Sequence, residues 1–161
     1  MLKKNMLRAV GAAILITLTA CASVTPPVSV TDTVARTQGL GTLSRLITEA
    51  GLADTLRTSG PYTVFAPSDE AFKALPADAL AKLAADKDAL RAVLTFHVLP
   101  GRVMAAEVAT GNAKTVNGAT LALSRAGTFV TVEEAVVLTP DIGASNGVVH
   151  IVDRVLMPPK R

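Results

Sequence analysis

The apolar and polar positions of this chain change their period about three-fifths of the way along. Up to Thr95 they follow helical spacing; beyond it they alternate or run in short β-branched blocks. Leu43, Leu46, Ile47 and Ala50 fall at i, i+3, i+4 and i+7, one apolar stripe of a helix that Gly51 ends. Ahead of it, Asp32 is placed to cap a turn over Thr33 to Thr37, and Gly39 and Gly41 break the chain between the two. Ala53 to Arg57 has room for one more turn before Gly60-Pro61. Tyr62-Thr63-Val64-Phe65-Ala66 predicts a buried strand. Pro67 stops it, Ser68 caps the next helix, and Asp69 and Glu70 occupy its first turn, where the dipole favours anions. Two further helices are predicted over Ala77 to Leu83 and Lys87 to Leu94.

Past Thr95, Phe96-His97-Val98-Leu99 predicts an apolar strand before a Pro100-Gly101 turn. Lys114 to Val116 and Thr120 to Ser124 flank Asn117-Gly118, which predicts a hairpin closed by a tight Asn-Gly turn. Phe129 to Val132, Ala135 to Leu138, Val148 to Val152 and Val155 to Met157 read as further short strands. Helices first and strands later predict an α+β domain, not alternating βαβ units.

The first thirty residues follow another grammar. Lys3, Lys4 and Arg8 precede an uncharged run from Ala9 to Ala20, and Leu18-Thr19-Ala20-Cys21 closes it. Positive, then apolar, then small is the order of a secretory signal, and the run is too short to span a bilayer. The segment resembles a bacterial lipoprotein signal. That resemblance implies cleavage after Ala20, lipidation of the Cys21 thiol and acylation of the new amino terminus. Cys21 is the only cysteine, so no disulfide competes for it. Several acyl chains suffice for stable membrane anchoring where one does not. Residues 22–31 are small, polar and proline-bearing, an extended tether reaching at most ~35 Å. Ala22 lacks the aspartate read as inner-membrane retention in some bacteria, so the resemblance favours the outer membrane or the periplasmic face. The predicted organisation is a signal over 1–20, an anchor and tether over 21–31, and one domain over 32–158.

Removing the leader changes the charge picture. The formal charge of +3 falls to balance, thirteen basic against thirteen acidic residues, because Lys3, Lys4 and Arg8 leave with it. With no Trp, one Tyr and four Phe, and no Lys/Arg cluster, the chain has neither the charge nor the stacking platforms of a nucleic-acid binder.

Three segments in order resemble the fasciclin-like domain family: Thr63-Val-Phe-Ala-Pro-Ser-Asp-Glu-Ala-Phe72, Leu94-Thr-Phe-His-Val-Leu-Pro-Gly101 and Ser145-Asn-Gly-Val-Val-His-Ile-Val-Asp-Arg-Val-Leu-Met-Pro158. The first and last match the family's two signatures, the middle one its tyrosine–histidine segment. The resemblance covers about Asp32 to Met157. It implies helices packed on a β-wedge or sandwich, a non-enzymatic role in adhesion or protein interaction at the cell envelope, a protein or matrix partner, and no cofactor. It places candidate binding residues at Phe96 and His97, at Val64, Phe65 and Phe72, and at Asn146, His150 and Asp153. The family's tyrosine is Phe96 here, so its hydroxyl is missing while the ring remains.

The chemistry-bearing residues have plainer readings too. His97, flanked by Phe96 and Val98, reads as a core histidine bonded to backbone rather than a binding-site imidazole. His150 alternates with Val149 and Ile151, which places it on the solvent side of a half-buried sheet. The two histidines lie far apart in sequence without ligand spacing around either, so no metal site is expected. Gly143-Ala-Ser-Asn-Gly147 fits a hydrolase nucleophile elbow, with His150 and Asp153 after it. The elbow needs a helix after Ser145 and an acid between that serine and the histidine, and the sequence supplies neither. A turn between strands is the reading adopted. The alternative function is a small-molecule or lipid-binding envelope protein, which an apolar cavity between helices and sheet would favour.

Overall fold

A computed structural model describes residues 28–159, so the leader, Cys21 and the start of the tether lie outside the described residues. Helices come first: α1 (Val30–Arg36), α2 (Gly41–Glu49), α3 (Ala53–Thr58), α4 (Asp69–Lys73), α5 (Ala77–Ala85) and α6 (Lys87–Phe96). Strand β1 (Tyr62–Pro67) sits between α3 and α4. Then come β2 (Val98–Pro100), β3 (Gly111–Lys114), β4 (Thr120–Ala126), β5 (Phe129–Val132), β6 (Ala135–Ala144) and β7 (Gly147–Val152). A single 3₁₀ turn, Ala105–Glu107, interrupts the crossover from β2 to β3. The fold is α+β, as the change of period requires.

The strands form one sheet in the order β2-β1-β7-β6-β5-β4-β3. Every pairing is antiparallel except β1 with β7, which run parallel from Tyr62 opposite Gly147 to Pro67 opposite Val152. The two ends of the order meet where the Val116 N–H donates to the Val98 carbonyl at 2.8 Å. The sheet thereby bends into a nearly closed wedge. Alternation along β1 then divides two cores. Val64 and Ala66 face the helices with Val34, Leu46, Leu90 and Val149, whereas Phe65 faces the wedge interior with Phe96, Leu121, Val132 and Leu156.

Local chemistry explains the element ends. The side chains of Ser68 and Asp86 cap α4 and α6, as the sequence predicts for Ser68. Helix α1 departs from expectation. It starts at Val30, capped by Ser29, and Asp32 lies inside its first turn, accepting from the Ser29 hydroxyl at 2.8 Å. Val30 and Thr31 are buried, so the folded domain takes in residues that composition alone assigns to the tether. The Asn117-Gly118 turn is looser than expected. Thr115 N–H donates to the Ala119 carbonyl and Gly118 N–H to Thr115, with Gly118 at φ +89°, a three-residue loop carrying its glycine in the left-handed position.

Helix α2 has no cap of its own, because Leu40 stands at its N-cap. Asp69 supplies one from α4: its carboxylate accepts the Thr42 N–H at 2.8 Å while its own N–H donates to Gly39 O at 2.7 Å. The Thr42 N–H holds the Asp69 carboxyl below the usual carboxylate range. Asp69→Ala is expected to lower stability by about 1 kcal/mol, the ordinary loss for a removed cap. Chemical denaturation checks it, and an unchanged midpoint would dismiss this capping role.

Candidate functional site

The three sequence motifs meet along β1. The first motif is β1 and the start of α4; the last is β7 and the segment to Met157; the middle one spans the end of α6 and β2, the other neighbour of β1. Phe65 N–H donates to the His97 carbonyl at 2.9 Å, tying the first and middle motifs.

The apolar candidates are inside. Phe65 and Phe96 are 1% exposed, in the wedge core with Leu156, and Val64 and Phe72 are buried in the helix-side core. None of these side chains reaches the surface, so a partner meets only the shape they set.

His97 is not in a strand. Helix α6 continues through Phe96 and His97 is its C-cap, because Leu90, Val93 and Leu94 form one stripe that His97 extends. Its Nδ1 lies 2.8 Å from the Val93 carbonyl and must carry the proton, and its Nε2 accepts the Leu156 N–H at 2.9 Å. Both ring nitrogens are therefore committed to backbone, the core-histidine arrangement. Burial pushes its pKa down to about 4.

His150 overturns the solvent-side expectation: it is 1% exposed. Strand β7 lies between β1 and β6, with helices over one face and the wedge interior over the other, so both faces are covered. The ring stacks on Phe65 at 5.5 Å between centroids. Its tautomer is opposite to that of His97: Nε2–H donates to the Val103 carbonyl at 2.9 Å, and Nδ1 accepts the Asp141 N–H at 3.1 Å.

Asn146 and Asp153 serve the backbone as well. Asn146 Oδ1 accepts Val30 N–H at 2.8 Å, and its Nδ2 donates to the Leu56 and Ser59 carbonyls at 2.7 Å each. One side chain in the β6–β7 turn thus fastens the start of α1 and the end of α3. Asn146→Ala leaves those groups without a partner and is expected to cost about 3 kcal/mol, at ~1 kcal/mol or more for each lost bond. Urea unfolding checks it; a loss under about 1 kcal/mol would show that water replaces the amide. Asp153 accepts Val136 N–H at 2.7 Å and returns its own N–H to the Val136 carbonyl.

Ser145 sits in the two-residue turn joining β6 to β7, strand on both sides, without the helix a nucleophile elbow requires. Among the described residues no group of three His, Cys, Asp or Glu side chains is arranged to hold a metal.

Comparison with known proteins decides the family. A fasciclin domain model matches residues 38–158. The chain belongs to the fasciclin domain family. This fasciclin domain is 38% identical over 133 residues to protein sll1483 of Synechocystis, covering 81% of the chain and 74% of that protein. It is 36% identical over 115 residues to the cell surface glycolipoprotein MPB83 of Mycobacterium bovis, covering 71% of the chain and 51% of MPB83. Among solved structures it is similar to a FAS1 domain pair from the insect cell adhesion molecule fasciclin I, at 25% identity and TM-score 0.61, covering 75% of this chain and 46% of that one.

The fasciclin domain also presents residues that the motif reading does not reach. Phe129 is 71% exposed and Leu138 58%. Phe129 begins β5 and Leu138 lies on the neighbouring strand β6, two residues past the last paired position, Val136. The signal for it is in β5 itself: Val130 and Val132 are buried, so the alternate position Phe129 must face out.

Proposed function

We propose that this chain is a lipid-anchored domain of the bacterial cell envelope, held by an acylated Cys21, that engages a protein or matrix partner through its outer surface and has no covalent chemistry of its own. The observation that carries the interaction reading is the exposure of two large apolar side chains on adjacent strands, Phe129 of β5 and Leu138 of β6, while Phe65, Phe96, His97, His150 and Asn146 are committed to the core and to backbone. Exposed apolar side chains that cluster mark a contact surface more often than isolated ones do. The family relation supports adhesion: the insect relative is a cell adhesion molecule and MPB83 a cell surface glycolipoprotein. Among the described residues no helix is long and apolar enough to cross a membrane.

The test is capture of partners from intact cells. The natural chain is expected to sediment with membranes and to enrich an envelope or matrix protein. Cys21→Ser is expected to release it to the soluble fraction, and Phe129→Ser with Leu138→Ser to lose the partner without a change in melting. Membrane association that survives Cys21→Ser, or a partner retained by the double variant, would defeat the corresponding half of the reading.

A second reading has one observation in its favour. A cavity of about 610 Å³ is lined by Leu99, Val103, Val108 and Leu123, with Lys114 also on its wall. It lies beside the β2–β3 crossover rather than between helices and sheet. A small apolar molecule co-purifying with the protein in native mass spectrometry would favour ligand binding.

A further inference from the structure

The β6 strand is irregular where it passes His150. Its register with β7 shifts between Val137 and Thr139 and again between Thr139 and Ile142, so that Pro140 and Asp141 bulge out of the ladder. Asp141 stands at φ +60°, in the left-handed region, although it is not glycine. This geometry turns the Asp141 N–H toward the interior, where it donates to Nδ1 of His150 at 3.1 Å. Oδ1 of the Asp141 carboxylate accepts the Ala105 N–H at 2.8 Å, at the 3₁₀ turn of the crossover. Asp141 Oδ1 also lies 3.8 Å from the same ring nitrogen.

A neutral ring can accept at Nδ1 only while Nε2 holds the proton, which the Val103 carbonyl ensures. A second proton makes Nδ1 a donor. It would then face the Asp141 N–H, donor against donor, with the Asp141 carboxylate as the nearest alternative acceptor. The bond to Val103 survives protonation; the bond to the bulge does not. We propose that His150 and Asp141 form an acid-operated switch: the neutral imidazole holds the β6 bulge in its left-handed turn, and protonation releases the Asp141 peptide and reshapes the surface cavity beside it. That cavity, about 260 Å³, is walled by Ala105, Ala106, Arg125, Thr128, Pro140 and Asp141. It adjoins Phe129 and Leu138 in sequence, but the switch does not depend on their having a partner.

The surroundings isolate this pair. From β1 the ring meets Phe65, which is uncharged. From the crossover, Arg102 is held by the Ala144 and Gly147 carbonyls and Glu107 by the Met104 N–H. Asp153 of the chain after β7 is engaged with Val136. From the β4–β5 hairpin, Arg125 shares the cavity wall with Asp141. Asp141 is thus the charged group that answers the ring. Burial lowers the pKa of His150, while the Val103 carbonyl and the Asp141 charge oppose that shift. The transition accordingly falls on the acid side of an ordinary histidine.

A nitrogen-15 NMR titration of the natural chain tests the proposal. At neutral pH His150 is expected as the Nε2–H tautomer. On acidification the Asp141 and Ala105 amide signals are expected to move with the His150 ring midpoint, and the hydrogen-exchange protection of Asp141 to fall at least tenfold while amides of β1 stay protected. In His150→Gln the Asp141 protection is expected to be level over the same range. If His150 carries its proton on Nδ1, or the Asp141 and Ala105 amides move only with His97 or with global unfolding, the proposal is overturned. Should His150→Gln fail to fold, the tautomer and the coincidence of midpoints in the natural chain still decide it.

Discussion

Gly147→Ala is expected to be the most damaging single-methyl substitution in the domain, lowering stability by about 4 kcal/mol or preventing folding altogether. A Cβ at Gly147 would overlap the carbonyl oxygen of Tyr62, and would crowd the Tyr62 carbonyl carbon at 3.0 Å and Val30 Cγ2 at 3.1 Å. The obstacle is backbone, and that backbone belongs to β1, paired on both sides by β2 and β7, so it cannot swing aside as a side-chain tip would. The substitution also falls where the parallel pairing of β1 and β7 begins. Gly118→Ala makes the control. Gly118 has φ +89° but nothing within 4 Å of an added Cβ, so only backbone strain is felt, about 1 kcal/mol. Thermal melting of the two variants separates the cases. A Gly147→Ala protein that melts within a few degrees of the parent would mean that β1 and β7 do not approach as described.

Acid should weaken the domain well before its carboxylates titrate. His97 has a folded pKa of about 4, below the 6.5 of an exposed histidine, because burial disfavours the cation. Between those values the unfolded chain binds the proton that the folded chain refuses, so stability rises with pH across the window and is lost as pH falls through it. The full loss from this one group is about 3 kcal/mol, at ~1.4 kcal/mol for each pH unit of difference. His150 acts in the same direction. Asp32 and Asp69, whose carboxyls are held low by hydrogen bonds, add their losses only below the usual carboxylate range. Urea unfolding at pH 7 and pH 4.5 measures the difference, and His97→Gln is expected to flatten most of the slope whatever it costs at pH 7. A natural protein equally stable at both values would contradict the buried, neutral ring.

Much of the fold is legible in local chemistry. Ser68 and Pro67 mark a real boundary, the stripe from Leu43 to Ala50 is a real helix, and the change of period at Thr95 separates helices from strands. What eludes a sequence reading is whatever depends on distant partners. Phe96-His97-Val98-Leu99 is a short apolar run, for which periodicity cannot separate helix end from strand; the spacing of Leu90, Val93, Leu94 and His97 carries the helical answer. Alternation places His150 opposite Val149 and Ile151 but is silent on whether that face is covered, and the cover comes from strands and a crossover elsewhere in the chain. Asn146 looks like a turn residue because the backbone partners of its side chain lie on segments far earlier in the chain. The motifs are legible as motifs, but Val64, Phe65, Phe72, Phe96, His97 and His150 within them build the interior.

The parallel pair of β1 and β7 has a further consequence, for biogenesis. The sheet sets the first strand of the chain beside the last, so β1 is flanked on one side only until nearly the whole domain is present. Contacts this distant in sequence carry a large loop-closure entropy and slow folding. Until β7 arrives, the edge of β1 is open to stray pairing. A chain of this design suits delivery in full length before folding begins, and one cut short before Gly147 would leave an unpaired apolar strand for quality-control proteases to find.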